Sequence, residues 1–113
     1  MSDANVRLDA LADAVRPTLL GAGFEEAGAG VSGPYTWARF RRQETRDGER
    51  CDHLITLSHA PQEQAFLVDA YLVAGRTYTY TPAGKELRRY GTPAEAEAAV
   101  SELAAAVRAW VGA

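Results

Sequence analysis

Between Ala65 and Thr81 the chain runs AFLVDAYLVAGRTYTYT, two β-rich runs separated by Gly75-Arg76. Glycine opening a two-residue link supplies the positive φ that a tight antiparallel hairpin needs. A two-residue turn there predicts Ala74 opposite Thr77, Val73 opposite Tyr78, Leu72 opposite Thr79 and Tyr71 opposite Tyr80. Side chains alternate across a strand, so Phe66, Val68, Ala70 and Leu72 share one aliphatic face. Leu67, Asp69, Tyr71, Val73, Tyr78 and Tyr80 share the other. The first is a core face, and the second is too apolar for ordinary solvent-facing surface.

A second hairpin precedes it. Tyr35 to about Thr45 and Arg50 to Ser58 are strand-like, and Asp47-Gly48 between them is a strong short-range hairpin signal. With those two residues as the turn, Arg46 pairs with Glu49, Phe40 with Ile55 and Ala38 with Leu57. One face then gathers Ala38, Phe40, Ile55 and Leu57. The other gathers Trp37, Arg39, Arg41, Leu54, Thr56 and Ser58.

How the hairpins join depends on Ala60–Gln64. A four-residue loop puts both aliphatic faces on one side of the sheet; a five-residue loop slips the register by one and separates them. The shorter loop is expected, because it unites Phe40, Ile55, Leu57, Phe66, Val68 and Leu72 in one core.

Helices flank the strands. From Asp3 to about Leu20, Leu8, Leu11, Val15 and Leu19 recur at helical spacing. Pro17 should kink or break that helix, Gly21 and Gly23 should end it, and Phe24 should fold back on it. Gly28–Pro34 is expected to be a loop; it is no phosphate-binding loop, since no Gly-Lys-Ser/Thr follows. Ala83–Gly91 is expected to be a loop pinned by Leu87 and Tyr90. Thr92, Pro93 and Glu95 then spell a helix start. That helix should run to about Val111 with Val100, Leu103, Val107 and Trp110 as its buried stripe, and Ala96, Ala99 and Ala106 allowing close approach. The expected fold is α+β: one domain over residues 1–113, a single four-stranded antiparallel meander with N- and C-terminal helices on one face.

A chain of 113 residues, 47% hydrophobic and 24% charged, is of ordinary globular composition. No apolar run reaches membrane-spanning length. A lone Cys51 makes no internal disulfide, and the first residues lack the features of a signal peptide, so a cytoplasmic location is expected. The net charge of −3 is unevenly spread: Arg39–Arg50 carries +2, Arg76–Arg89 carries +3, and the remainder −8. Such segregation is usually solvated surface.

Chemistry-bearing patterns are sparse. Cys51, His53 and His59 alternate onto one strand face, but zinc needs three or four ligands and no second Cys/His cluster supplies them. Ser58-His59 are adjacent and so point apart, and no nucleophile elbow is present. No catalytic residue, metal ligand or cofactor is assigned. Asp69 is the one charge in the apolar run Ala65–Gly75; it is either hydrogen-bonded across the sheet, with Arg39 and Arg41 as candidate partners, or it meets a ligand. Aromatics beside Arg suit base stacking, yet the strand order and acidic balance disfavour nucleic acid.

The expected function is therefore a small binding or assembly module without enzymatic activity, using an open aromatic sheet face. That candidate surface comprises Trp37, Arg39, Arg41, Leu54, Leu67, Asp69, Tyr71, Val73, Tyr78 and Tyr80. A second copy of the chain is the simplest partner, giving a homodimer. A small-molecule pocket lined by Trp37, Tyr71, Tyr78 and Tyr80, enzymatic or not, and an adaptor or inhibitor binding another protein are the alternatives.

Overall fold

A computed structural model describes residues 3–74 and 79–112, with side chains at all of these except 3–5, 46, 79–83 and 112. Two helices flank a five-stranded sheet: α1 (Asp3–Gly21), β1 (Glu25–Ser32), β2 (Tyr35–Arg46), β3 (Glu49–Ala60), β4 (Ala65–Ala74), β5 (Thr79–Arg89) and α2 (Pro93–Gly112). The strands lie in chain order and every neighbouring pair is antiparallel. The class is α+β as expected, with one strand more than the four anticipated.

The central hairpin follows its turn. Asp47 and Gly48 take φ of 53° and 80°, the left-handed pair that a twisted two-residue hairpin requires. Arg46 pairs with Glu49, Phe40 with Ile55 and Ala38 with Leu57. Turn residues 61–64 then connect Ala60 to its partner Ala65. That four-residue link sets Ile55 opposite Ala70 and Leu57 opposite Val68, so the aliphatic faces coincide.

The extra strand is β1, in the glycine-rich segment expected to be a loop. Gly33, with φ of 57°, and Pro34 turn the chain so that Ser32 pairs with Tyr35 and Gly30 with Trp37. Glycine at the first of two central positions is one of the favoured hairpin turns. Glycine normally weakens a strand, but here its lack of a side chain is what the neighbour uses. A Cβ on Gly30 would sit 2.9 Å from Cζ2 of Trp37. The indole therefore occupies the space beside the glycine backbone and shields this edge strand.

The hairpin of β4 and β5 departs from the expected register. Val73 pairs with Tyr80, Leu72 with Thr81 and Tyr71 with Pro82, two residues beyond the two-residue-turn register. The Gly75-Arg76 turn itself lies outside the described residues. A shift of two preserves the alternation of faces. An irregularity between Ala70 and Tyr71 then brings Gly84 opposite Ala70, and pairing continues to Arg89 opposite Ala65. Ala83–Arg89 is thus strand rather than loop. Pro82 falls in β5, an edge of the sheet, the place where proline is tolerated in strands.

Both helices pack on the face bearing Phe40, Ile55, Leu57, Phe66, Val68 and Ala70, and on each other. Leu11, Val15 and Leu19 of α1 and Leu103 and Val107 of α2 are fully buried there. Leu72, expected in the core, is only partly buried, whereas Ala70, expected on the same face, is buried. No break occurs at Pro17, because α1 continues to Gly21. Proline there removes a single hydrogen bond one turn from the end, and Leu19 beyond it is anchored in the core. Gly23, with φ of 89°, ends the helix: its N–H donates to Leu20 O at 3.1 Å and Phe24 N–H donates to Leu19 O at 2.9 Å. That pattern satisfies two terminal carbonyls, and Phe24 and Leu19 join the same core cluster. At the start of α2 the Glu95 N–H donates to Thr92 Oγ1 at 3.1 Å, while the Glu95 carboxylate accepts from the Gly91 N–H at 3.3 Å. The reciprocal cap expected for Thr92 and Glu95 is formed, shifted by one residue on its return bond.

Candidate functional site

The sheet's second face is covered by neither helix, since α1 and α2 share the other side. Cross-strand pairing arranges that face in rows. The middle row runs Arg39, Thr56, Asp69, Lys85 across β2 to β5. On one side lies Trp37, Ser58, Leu67, Leu87; on the other, Arg41, Leu54, Tyr71, with the backbone of Pro82 paired to Tyr71. Of the ten residues expected on this surface, Trp37, Arg39, Arg41, Leu54, Leu67, Asp69, Tyr71 and Val73 occupy it and are each partly buried. Tyr78 lies outside the described residues. Tyr80 is placed by its backbone opposite Val73, not opposite Tyr71.

Arg39 organises the centre. Its Nε donates to Thr56 Oγ1 at 3.1 Å, and its guanidinium lies 4.9 Å from the centre of the Trp37 ring. A guanidinium over indole gains from the ring's negative face while keeping other donors free. Two shallow concavities meet at Arg39 and Thr56. One, about 400 Å³, is lined by Ser32, Tyr35, Trp37, Ser58 and Leu67 as well. The other, about 410 Å³, adds Leu54, Asp69 and Tyr71.

Polar satisfaction on this face is incomplete. Among the described residues, Asp69 Oδ1 and Arg41 Nε are buried atoms without a hydrogen-bond partner. Arg41 reaches Glu25 only through a 3.4 Å contact of Nη2. Loss of water around the Asp69 carboxyl raises its pKa above the ordinary 3.8, with the positive charge of Lys85 opposing the rise. Neither Arg39 nor Arg41 neutralises Asp69 within the chain, although both were candidate partners: the β3 strand separates them, with Thr56 between Arg39 and Asp69.

The Cys51, His53 and His59 pattern divides. His59 is fully buried, its Nε2 2.7 Å from the Tyr90 hydroxyl and its ring packed on Phe66 with centres 4.7 Å apart. It belongs to the core. Cys51 and His53 instead come together with Glu44 of β2, one ligand atom from each lying within 4.8 Å of the others. Glu44 was missed because no second cluster of Cys or His accompanies Cys51 and His53 and a single carboxylate does not stand out, yet the Asp47-Gly48 turn alone dictates that it faces Cys51. Lys85 was missed because its segment was expected to be a loop.

Fold and site together define a two-layer α+β protein with helices on one side of a meander and a mixed aromatic and charged surface on the other. No family model, curated protein or solved structure matches the chain. No helix among the described residues is long and apolar enough to cross a membrane.

Proposed function

We propose that the protein is an assembly module whose open sheet face binds a second copy of the same chain. The observation that carries this is the placement of opposite charges on either side of β3. Arg39 lies one strand away in β2 and Asp69 one strand away in β4, at the same level. A two-fold axis running along β3 between two facing sheets lays β2 of one copy over β4 of the other. Arg39 then meets the Asp69 of its partner, Trp37 meets Leu67, Arg41 meets Tyr71, and Leu54 meets its own equivalent. Such self-complementarity is what a two-fold interface demands, and sheets packing face to face tolerate a relative rotation of about 30°. The Asp69 carboxylate would gain the guanidinium that it lacks in one chain, and desolvated charge pairs of this kind are the costly ones to disrupt.

Charge reversal tests it. Wild-type protein should sediment as a dimer, Asp69→Arg and Arg39→Asp should each sediment as folded monomers, and mixing the two variants should restore a heterodimer. A monomeric parent at about 100 μM, where interfaces weaker than roughly 5 kcal/mol would be mostly dissociated, overturns the proposal. A second reading rests on the two concavities, whose volumes fall within the ~300–1,000 Å³ range of ligand pockets. It requires a monomer in which a small anionic aromatic compound, held by Arg39, changes Trp37 fluorescence.

A further inference from the structure

At the Asp47-Gly48 end of the sheet, on the side that the helices cover, three side chains converge for which the open face has no use. The register sets Glu44 of β2 opposite Cys51 of β3, and His53 follows two residues along on the same face. A carboxylate oxygen, a sulfur and an imidazole nitrogen from the three lie within 4.8 Å of one another. Glu44 Oε1 and His53 Nε2 are 3.0 Å apart. Cys51 is buried, whereas the Glu44 and His53 side chains keep 29% and 22% of their exposure, so solvent reaches one side of the group. A hydrogen bond explains the meeting of Glu44 and His53, but it gives no reason for a thiol beside them.

We propose that Glu44, Cys51 and His53 form a zinc-binding site with water as the fourth ligand. Thiolate, imidazole and carboxylate are the three donor types that zinc takes, and three protein ligands leave one tetrahedral position open. Magnesium and calcium prefer all-oxygen shells. Zinc bonds of about 2.0–2.3 Å imply ligand atoms roughly 3.3–3.8 Å apart, so the widest gap must close by about 1 Å through side-chain rotation. Paired strands joined by a tight turn hold the three Cα positions while that happens. Arg42 is the nearby opposing charge, with Nε 4.0 Å from Glu44 Oε2. Its Nη1 is tied to Ala22 O at 3.1 Å and its guanidinium covers Phe24. Held there, it faces the carboxylate oxygen turned away from His53, an outer partner that orients the ligating one. On binding, the Cys51 thiol releases its proton to solvent, His53 serves as the neutral imidazole, and two negative ligands balance the ion's charge.

Cobalt(II), titrated into the untagged full chain, reports the geometry directly. The expected result is one equivalent bound, a near-ultraviolet thiolate-to-cobalt charge-transfer band, visible bands of four-coordinate intensity, and displacement of both by zinc. Cys51→Ser should abolish the charge-transfer band, and His53→Gln and Glu44→Gln should each weaken binding by more than about tenfold. Cys51 is buried, so if its variant fails to fold, the two partly exposed positions decide the matter. Absence of the charge-transfer band in wild-type protein overturns the proposal, and so does a band of unchanged affinity in both His53→Gln and Glu44→Gln. The outcome is independent of whether the open face dimerises.

Discussion

Trp37 and Trp110 both lie against an edge strand at a glycine, on opposite faces of the sheet, and the contrast between them separates the two layers of the molecule. Trp37 fills the space beside Gly30 of β1 on the open face. Trp110, near the end of α2, fills the space beside Gly84 of β5 on the covered face, where a Cβ would come 2.7 Å from its Cζ2. Trp110 packs against an aliphatic core whose central side chains are fully buried. Trp37 has Arg39 at 4.9 Å and a row of polar groups beyond it. The same glycine device closes a core on one side and shapes a surface on the other. Stability therefore resides mainly on the helix side, and the binding proposed above would fall to the open side.

Neighbouring residues in β4 break or support that division most sharply. Phe66 points into the core and is fully buried, while Leu67 points to the open face and is partly exposed. Phe66→Ala should cost about 3–5 kcal/mol, and Leu67→Ala about 1 kcal/mol, measured by urea unfolding at a concentration where the protein is monomeric. Equal losses would erase the distinction. The next effect in size concerns the glycines. Gly84→Ala pushes a methyl into an indole that the core confines, at roughly 1–3 kcal/mol. Adding Trp110→Leu should recover much of that loss, a coupling that a double-mutant cycle measures. Gly30→Ala should cost less, about 1 kcal/mol or below, because Trp37 can move outward, and its emission in a Trp110→Phe background should shift to the red.

These pairs also mark what the sequence could and could not disclose. Turn chemistry at Asp47-Gly48, the cap at Thr92-Pro93-Ala94-Glu95 and the helical spacing of Leu8, Leu11, Val15 and Leu19 are local, and each forms as its residues dictate. The strand β1 was hidden because Gly28 and Gly30 lower strand propensity, while their reason for being strand lies on β2, in the Trp37 ring. Ala83–Arg89 was hidden similarly: Pro82 and Gly84 look like loop residues until Trp110, which sits on the last turns of α2, requires a glycine there. In both cases the deciding partner is distant in sequence. Most of the open surface was legible, since alternation alone sorts Trp37, Arg39, Leu54, Leu67, Asp69 and Tyr71 onto one face. The joining of Glu44 to Cys51 and His53 needed the pairing to be followed to the hairpin's end.

The smallest effect expected is also the most discriminating, and it concerns Asp69. Burial holds its folded pKa above the 3.8 of the unfolded chain, against the pull of Lys85. As pH rises past 3.8 the unfolded state ionises before the folded one, so the folded state binds more protons and stability falls. The loss is complete once pH exceeds the folded pKa, and it disappears again in acid. Asp69→Asn should abolish this pH dependence and stabilise monomeric protein at pH 7 by roughly 0.5–1 kcal/mol, water screening of a half-open site keeping the figure low. In a dimer the sign reverses: Arg39 of the partner favours the carboxylate, association strengthens as pH rises through the Asp69 titration, and Asp69→Asn weakens it. Chemical unfolding of the monomer and sedimentation of the dimer, each followed from pH 4 to 7, should therefore move in opposite directions for the same substitution. Parallel movement would mean that Asp69 is no more than a strained surface carboxylate, and that the open face binds through its aromatic residues alone.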